Sequence, residues 1–194
     1  MGDVVRYLTH PQVRIDAAIP VPDWGLSDEG AARVEAAVDR WAFAGTVHVV
    51  SSAERKALET ARPIAHALAL DLEIREAMHE NDRSATGFLP PDAFEAAADA
   101  FFAAPETSFK GWERAADAQA RVLREAEAAL AAAPAGDVLF VGHGAVGTLL
   151  YCAFAGRAID RRYDQKGGGH VWAVRRADRS ILHHWRPLES FDSP

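Results

Sequence analysis

The chain has a single cysteine, Cys152, among 194 residues, so no internal disulfide can form. Cys152 lies in an apolar, helix-like stretch and reads as packing rather than a reactive thiol. No apolar run approaches membrane-spanning length, and no basic segment followed by an apolar core opens the chain. The expectation is a cytoplasmic protein with no membrane partner. Basic residues are also short: 21 Lys and Arg stand against 28 Asp and Glu, a net charge of −7. A general nucleic-acid binder, which would present a basic face, is therefore not expected. An anionic small substrate remains allowed, because a few arginines in a cleft override the global sign. There is no cysteine cluster and no helix with metal ligands at i,i+4, so no metal and no other cofactor is expected. Internal repeats are absent.

What is present is ordinary globular composition, 49% apolar and 25% charged, in a length suited to one substantial core. Strands and helices alternate. Val4 to Thr9 reads as a strand; Ser27 caps a helix from Asp28 to about Trp41. Thr46 to Val50 is a β-branched strand, followed by a helix from about Ala53 to Leu70 that Ser51-Ser52 caps. Leu72 to Arg75 is a short strand. Glu76 to Phe109, with Gly87, Pro90, Pro91 and Pro105, reads as irregular, an inserted lid-like segment of about 76–110 within a single domain spanning 1–194. An alanine-rich helix (Trp112 to Ala133), a strand (Val138 to Val141), a helix (Ala145 to Ala155) and two strands (His170 to Arg175, Ser180 to Trp185) complete the pattern. Asp178-Arg179 marks a hairpin. The fold class expected is α/β, a three-layer α/β/α sandwich with a mostly parallel sheet.

Polar clusters follow four of these strands: Thr9-His10-Pro11-Gln12, Ser51-Ser52 through Thr60, His79-Glu80-Asn81-Asp82, and Gly142-His143-Gly144. In a parallel sheet all four fall on one edge, where ligand sites form. His10 and His143, far apart in sequence, can thereby meet in one crevice. Gly142-His143-Gly144-Ala145-Val146-Gly147 also fits a dinucleotide-binding G-x-G-x-x-G, but too little chain follows it to build the rest of that unit. His183 and His184 are adjacent on a strand and point to opposite faces. His48, inside an apolar strand, reads as structural.

These motifs resemble the histidine phosphatase superfamily, with its phosphoglycerate-mutase-like fold. Pro20 to Gly30 is similar to that family's segment before its first helix. Ser51-Ser52-Ala53-Glu54-Arg55-Lys56-Ala57-Leu58-Glu59-Thr60-Ala61 resembles its serine-serine, arginine, glutamate-threonine-alanine signature, and Val141 to Gly144 its second histidine motif. The resemblance implies His10 as nucleophile, Arg55 as phosphate clamp, Glu80 as proton donor with Asp82 second, and His143 as the second pocket histidine. Gly144, at a helix start, would add a backbone N–H. The family's first motif is arginine-histidine-glycine, whereas this chain has Thr9-His10-Pro11. The missing guanidinium would be a bidentate phosphate ligand. Thr9 offers one hydroxyl, and Arg14 or Arg83 could fill the gap, with Arg14 preferred.

The function implied is metal-independent phosphomonoester hydrolysis through a phosphohistidine on His10. The alternatives are a catalytically impaired pseudophosphatase that binds a phosphorylated ligand or partner, and a phosphomutase. The partner expected is a phosphorylated small molecule, with a phosphoprotein as a second candidate. Trp24, Phe88 and Trp112 are candidates to contact an apolar leaving group.

Overall fold

The structure, a computed structural model, describes residues 3–39 and 42–190. Six strands form one sheet in the order β3-β2-β4-β1-β5-β6: β1 (Val4–Thr9), β2 (Thr46–Ser52), β3 (Leu72–Arg75), β4 (Asp137–Gly142), β5 (His170–Arg175) and β6 (Ile181–Pro187). β3, β2, β4 and β1 run parallel, and the β5–β6 hairpin joins β1 antiparallel. The carboxyl ends of the four parallel strands therefore share one edge, as the sequence pattern requires.

The strand period of two sorts side chains between two cores. Val5, Tyr7, Val138, Phe140 and Trp172 pack with α3 (Pro91–Ala103), α4 (Ala115–Ala132) and α5 (Gly144–Phe154). Leu8, Leu139, Val141 and Val171 pack on the opposite face with α1 (Asp28–Asp39) and α2 (Arg55–Ala67). The result is the three-layer α/β/α sandwich. Cys152 is buried in α5. No helix among the described residues is long and apolar enough to cross a membrane.

Three local expectations change. Ser51 and Ser52 belong to β2 rather than capping a helix, and α2 begins only at Arg55. The segment read as irregular contains a 13-residue helix, α3, which starts at Pro91. Proline suits the first helical turn, where its missing N–H has no partner to lose, so Pro90-Pro91 opens a helix here instead of interrupting one. Ser27 does cap α1, its Oγ accepting the Gly30 N–H at 3.1 Å. The expected end of that helix, Trp41, lies outside the described residues; α1 is assigned to Asp39.

Candidate active site

β1 and β4 are parallel neighbours with Thr9 paired to Gly142, so the next residue on each strand is a histidine at the same height. Strands lie about 4.8 Å apart. The His10 and His143 rings accordingly meet edge to face, with centroids 5.4 Å apart and planes at 67°. The His10 N–H donates to the Gly142 carbonyl at 2.9 Å, closing the ladder at this point.

The two rings are held differently. His10 Nδ1 lies 2.8 Å from the Pro11 carbonyl, which can only accept. Nδ1 therefore carries the hydrogen, and Nε2 presents a lone pair. Burial pushes the His10 imidazole down to about 4, against the opposing pull of the Pro11 carbonyl and with help from the Lys56 charge. His143 has no exposed surface. Its Nε2 lies 2.8 Å from Ser52 Oγ and 3.7 Å from Glu54 Oε1, while Nδ1 has no partner. Burial pushes this ring down to about 4 as well, although Glu54 and Glu80 favour its charged form.

Tyr7 locks the His143 backbone. Its hydroxyl accepts the His143 N–H at 3.0 Å and donates to the His143 carbonyl at 3.2 Å. Burial raises this phenol far above its ordinary range, so it remains a donor. A Cβ on Gly142 or Gly147 would collide with Tyr7, and one on Gly144 would lie 2.8 Å from Gln165 Nε2. The G-x-G-x-x-G spacing is thus explained by close packing against Tyr7 and Gln165.

Glu80 reaches the start of α5. Its carboxylate accepts N–H groups from Ala145 (3.3 Å), Val146 (3.1 Å) and Asn81 (3.1 Å). Arg121, on α4 and paired with Glu113, fixes the loop beneath by donating to the Ala77 and His79 carbonyls at 2.7 and 3.0 Å. Asp82 lies in a neighbouring hollow with His79, and hydrogen bonding from Ser84 holds its carboxyl below the usual range.

Two of the three cations that the sequence offers, Arg55 and Arg14, lie away from the histidines. Arg55 points to solvent, its side chain 62% exposed and its Nε 2.7 Å from Glu59 Oε1. Glu59 in turn accepts the Leu26 N–H at 2.7 Å, so this pair secures the Gly25–Leu26 turn. Its neighbour Lys56 is buried instead, donating to the Val21 carbonyl at 3.0 Å and pairing with Glu54. Consecutive helical residues face different directions, so only one of the two can point to the sheet edge. The buried stripe of α2, Lys56, Ala57, Thr60, Ala61, Ile64 and Ala65, is the signal that identifies which. Burial alone would raise the Glu54 carboxyl, but His143 and Lys56 outweigh it and hold it at about 2. Arg14 is also exposed, 3.3 Å from an exposed Asp28.

Thr9 is fully buried, and its hydroxyl is committed. Oγ1 accepts the His170 N–H at 3.0 Å and donates to Gln165 Oε1 at 2.6 Å. That orients the carboxamide, leaving the Gln165 NH₂ beside Gly144 with no hydrogen-bond partner among the described residues. His10, Glu80, Arg83, Gly144, Asp164 and Gln165 all line one crevice of about 590 Å³, which Phe94, Phe101, Phe102 and Trp112 also line. The Asp164 carboxyl is raised by burial, although Thr148 Oγ1 and the Gln165 N–H donate to it. His170 is not among the residues lining this crevice, and its Nδ1 lies 3.2 Å from the Gly168 carbonyl. His48 pairs with Glu73 at 2.6 Å, away from the site. Among the described residues no group of three or more His, Cys, Asp or Glu is arranged to hold a metal ion.

The structure thus brings together His10, His143, Glu80 and Gly144, with Thr9 behind them, and leaves Arg55 and Arg14 outside. Of the two candidates for the missing arginine it places Arg83 rather than Arg14 on the crevice, and it adds Ser52, Glu54, Lys56, Asp164 and Gln165.

A fold of this kind, with two strand-end histidines on one sheet edge, defines a class, and the comparisons agree. Residues 13–185 match the model of the histidine phosphatase superfamily (branch 1), and the chain belongs to that superfamily. The match begins three residues past His10, so the altered Thr9-His10-Pro11 segment lies outside it. The chain is similar in fold to the mycobacterial glucosyl-3-phosphoglycerate phosphatase Rv2419c, with TM-score 0.77 and 19% identity over 96% of this chain and 97% of that one. The same protein in complex with inorganic phosphate gives TM-score 0.77 at 21% identity, covering 95% and 94%. Bacillus stearothermophilus YhfR gives TM-score 0.76 and 19% identity over 98% of each chain. No curated protein sequence matches significantly.

Proposed function

We propose that the protein hydrolyses phosphomonoesters through a phosphohistidine on His10. The observation that carries this reading is the His10 ring: neutral, fixed through Nδ1 to the Pro11 carbonyl, lining the crevice with Nε2 unpartnered among the described residues. In-line attack forms the Nε2–P bond as the bond from phosphorus to the leaving oxygen breaks, and water then takes the phosphoryl group from the imidazole. The Gly144 N–H at the α5 N-terminus, the Gln165 carboxamide and Arg83 are the donors available to the equatorial oxygens. Thr9 is a positioning residue acting through Gln165. Ser52 and Tyr7 hold His143, which backs His10 edge to face. The leaving oxygen takes its proton from Glu80, with Asp164, whose carboxyl is raised by burial, as the competing acid.

A second reading, binding of a phosphorylated ligand without turnover, is favoured by one specific feature. The buried Lys56 beside the histidines is neutralised by Glu54, so part of the positive charge that could stabilise a phosphoryl transition state is already spent. Turnover of an aryl phosphate without added metal separates the two. Acid-labile, base-stable phosphate on His10 after rapid quench is expected for the first reading. Phosphate-ester binding with neither label nor product supports the second. Return of the phosphoryl group to a second substrate hydroxyl in place of water would indicate a phosphomutase.

A further inference from the structure

We propose that the groove beside Arg83 binds the apolar end of an amphipathic phosphomonoester whose phosphate lies at His10. The inference rests on the phosphoester reading of the site and adds a substrate class to it. The groove, about 270 Å³, is walled by Ile15, Trp24, Phe88, Leu89 and Phe94. That is below the 300–1,000 Å³ typical of a pocket for a whole drug-sized ligand, so it suits one end of a molecule. It adjoins the His10 crevice, with Arg83, Phe94 and Glu95 lining both.

Three features favour an apolar occupant. Trp24 Nε1 already donates to the Asp16 and Ile19 carbonyls at 2.8 and 3.3 Å, leaving the indole no unmet polar group. Its ring lies 6.0 Å from that of Phe88. Two of the six large hydrophobic side chains exposed to water among the described residues, Ile15 at 62% and Phe88 at 42%, line this groove. Isolated exposed apolar residues are ordinary, but a cluster bordering a cavity marks a contact surface. At the junction, the Arg83 guanidinium lies 4.9 Å from the Phe94 ring centre and makes no ion pair with the described residues. The one cation shared by the two spaces therefore stands where an anionic head meets an apolar tail. Glu95, the carboxylate on the same rim, is paired with Arg161.

Calorimetric titration of the His10→Ala protein with methyl, butyl and hexyl phosphate tests this without relying on turnover. Affinity should rise about four-fold per buried methylene until the groove is full. Phe88→Ser in the same background should flatten that dependence, whereas Arg83→Gln should weaken every member by a similar factor and keep the slope. Equal affinity for the three esters overturns the proposal, as does a slope that survives Phe88→Ser. The two readings also fail separately. Methyl phosphate turnover by the wild type with no length dependence removes the groove and keeps hydrolysis. Length-dependent binding with no turnover of any ester keeps the groove and removes hydrolysis. No binding of any member by the His10→Ala protein together with no turnover of any member by the wild type overturns both.

Discussion

The β1 and β4 ends supply the same residue type at the same height, yet the two loops do different things with it. After β4, His143 sits between Gly142 and Gly144, has no solvent exposure, and is fixed at Nε2 by Ser52 and at its backbone by Tyr7. After β1, His10 sits between Thr9 and Pro11 and lines the crevice, with Nδ1 tied to the adjacent carbonyl and Nε2 without a hydrogen-bond partner among the described residues. Thr9, in the place of the motif arginine, carries no charge into the site and orients Gln165 instead. One histidine frame is a packed support, and the other opens onto a crevice lined by the neutral groups of Gly144 and Gln165 and by the Arg83 guanidinium.

The sharpest way to break this comparison is to remove one imidazole at a time. His10→Ala should reduce turnover by about 10⁴-fold or more, the scale for loss of a nucleophile. Activity that survives in steady-state assays would reassign the reacting group. Gln165→Ala should lower kcat/KM by about 10²-fold, the scale for one transition-state donor. Thr9→Val should reproduce part of that loss, and Thr9→Ser should restore it. A Thr9→Ser variant as impaired as Thr9→Val would show that the hydroxyl does not act through the carboxamide.

Acid should reveal what the two frames share. Both rings are depressed from 6.5 to about 4 in the folded chain, so unfolding lets them take up protons between those values. Their contribution to stability is complete above about pH 6.5 and is lost as pH falls through that window. For the fully buried His143 the loss is at most about 3 kcal/mol. The Glu54 carboxyl, held at about 2 from 4.5, titrates in a lower window, and its contribution is lost only as pH falls below about 4.5. Urea unfolding at pH 7, 5.5 and 4.5 should show the first effect, and a His143→Gln variant should flatten it. An unchanged slope would place His143 outside the linkage.

Smaller effects concern the supports. Tyr7→Phe leaves the buried His143 N–H and carbonyl without that hydroxyl and should cost about 1–3 kcal/mol in thermal unfolding. A cost near zero would mean that the loop is held by other contacts. Arg55→Ala removes an exposed ion pair and should cost less than about 1 kcal/mol, with little change in kcat. A large fall in kcat would return Arg55 to the reaction.

Most of the fold was legible because strands, turns and helix starts are local signals. Val4–Thr9, Leu72–Arg75 and His170–Arg175 follow directly from short apolar runs bounded by polar or turn residues. The Pro90-Pro91 helix start was misleading because the same residue breaks a helix interior and opens a helix. Within the site, the strand-end histidines could be read because parallel pairing carries every strand terminus to one edge. The choice between Arg55 and Lys56 turned on helix phase. Glu54 and Gln165 join the site through contacts spanning 26 residues to Glu80 and 156 residues to Thr9, and no local pattern announces these.

The sequence by itself therefore determined the alternation of elements, the shared edge and the two imidazoles, since these depend on periods of 2 and 3.6 residues. Only the tertiary structure decided which nitrogen of His10 is left open and which cation is buried. It also decided that the Thr9 hydroxyl holds the Gln165 carboxamide and that an apolar groove adjoins the His10 crevice. Those outcomes depend on hydrogen-bond partners and packing neighbours that chain proximity does not specify.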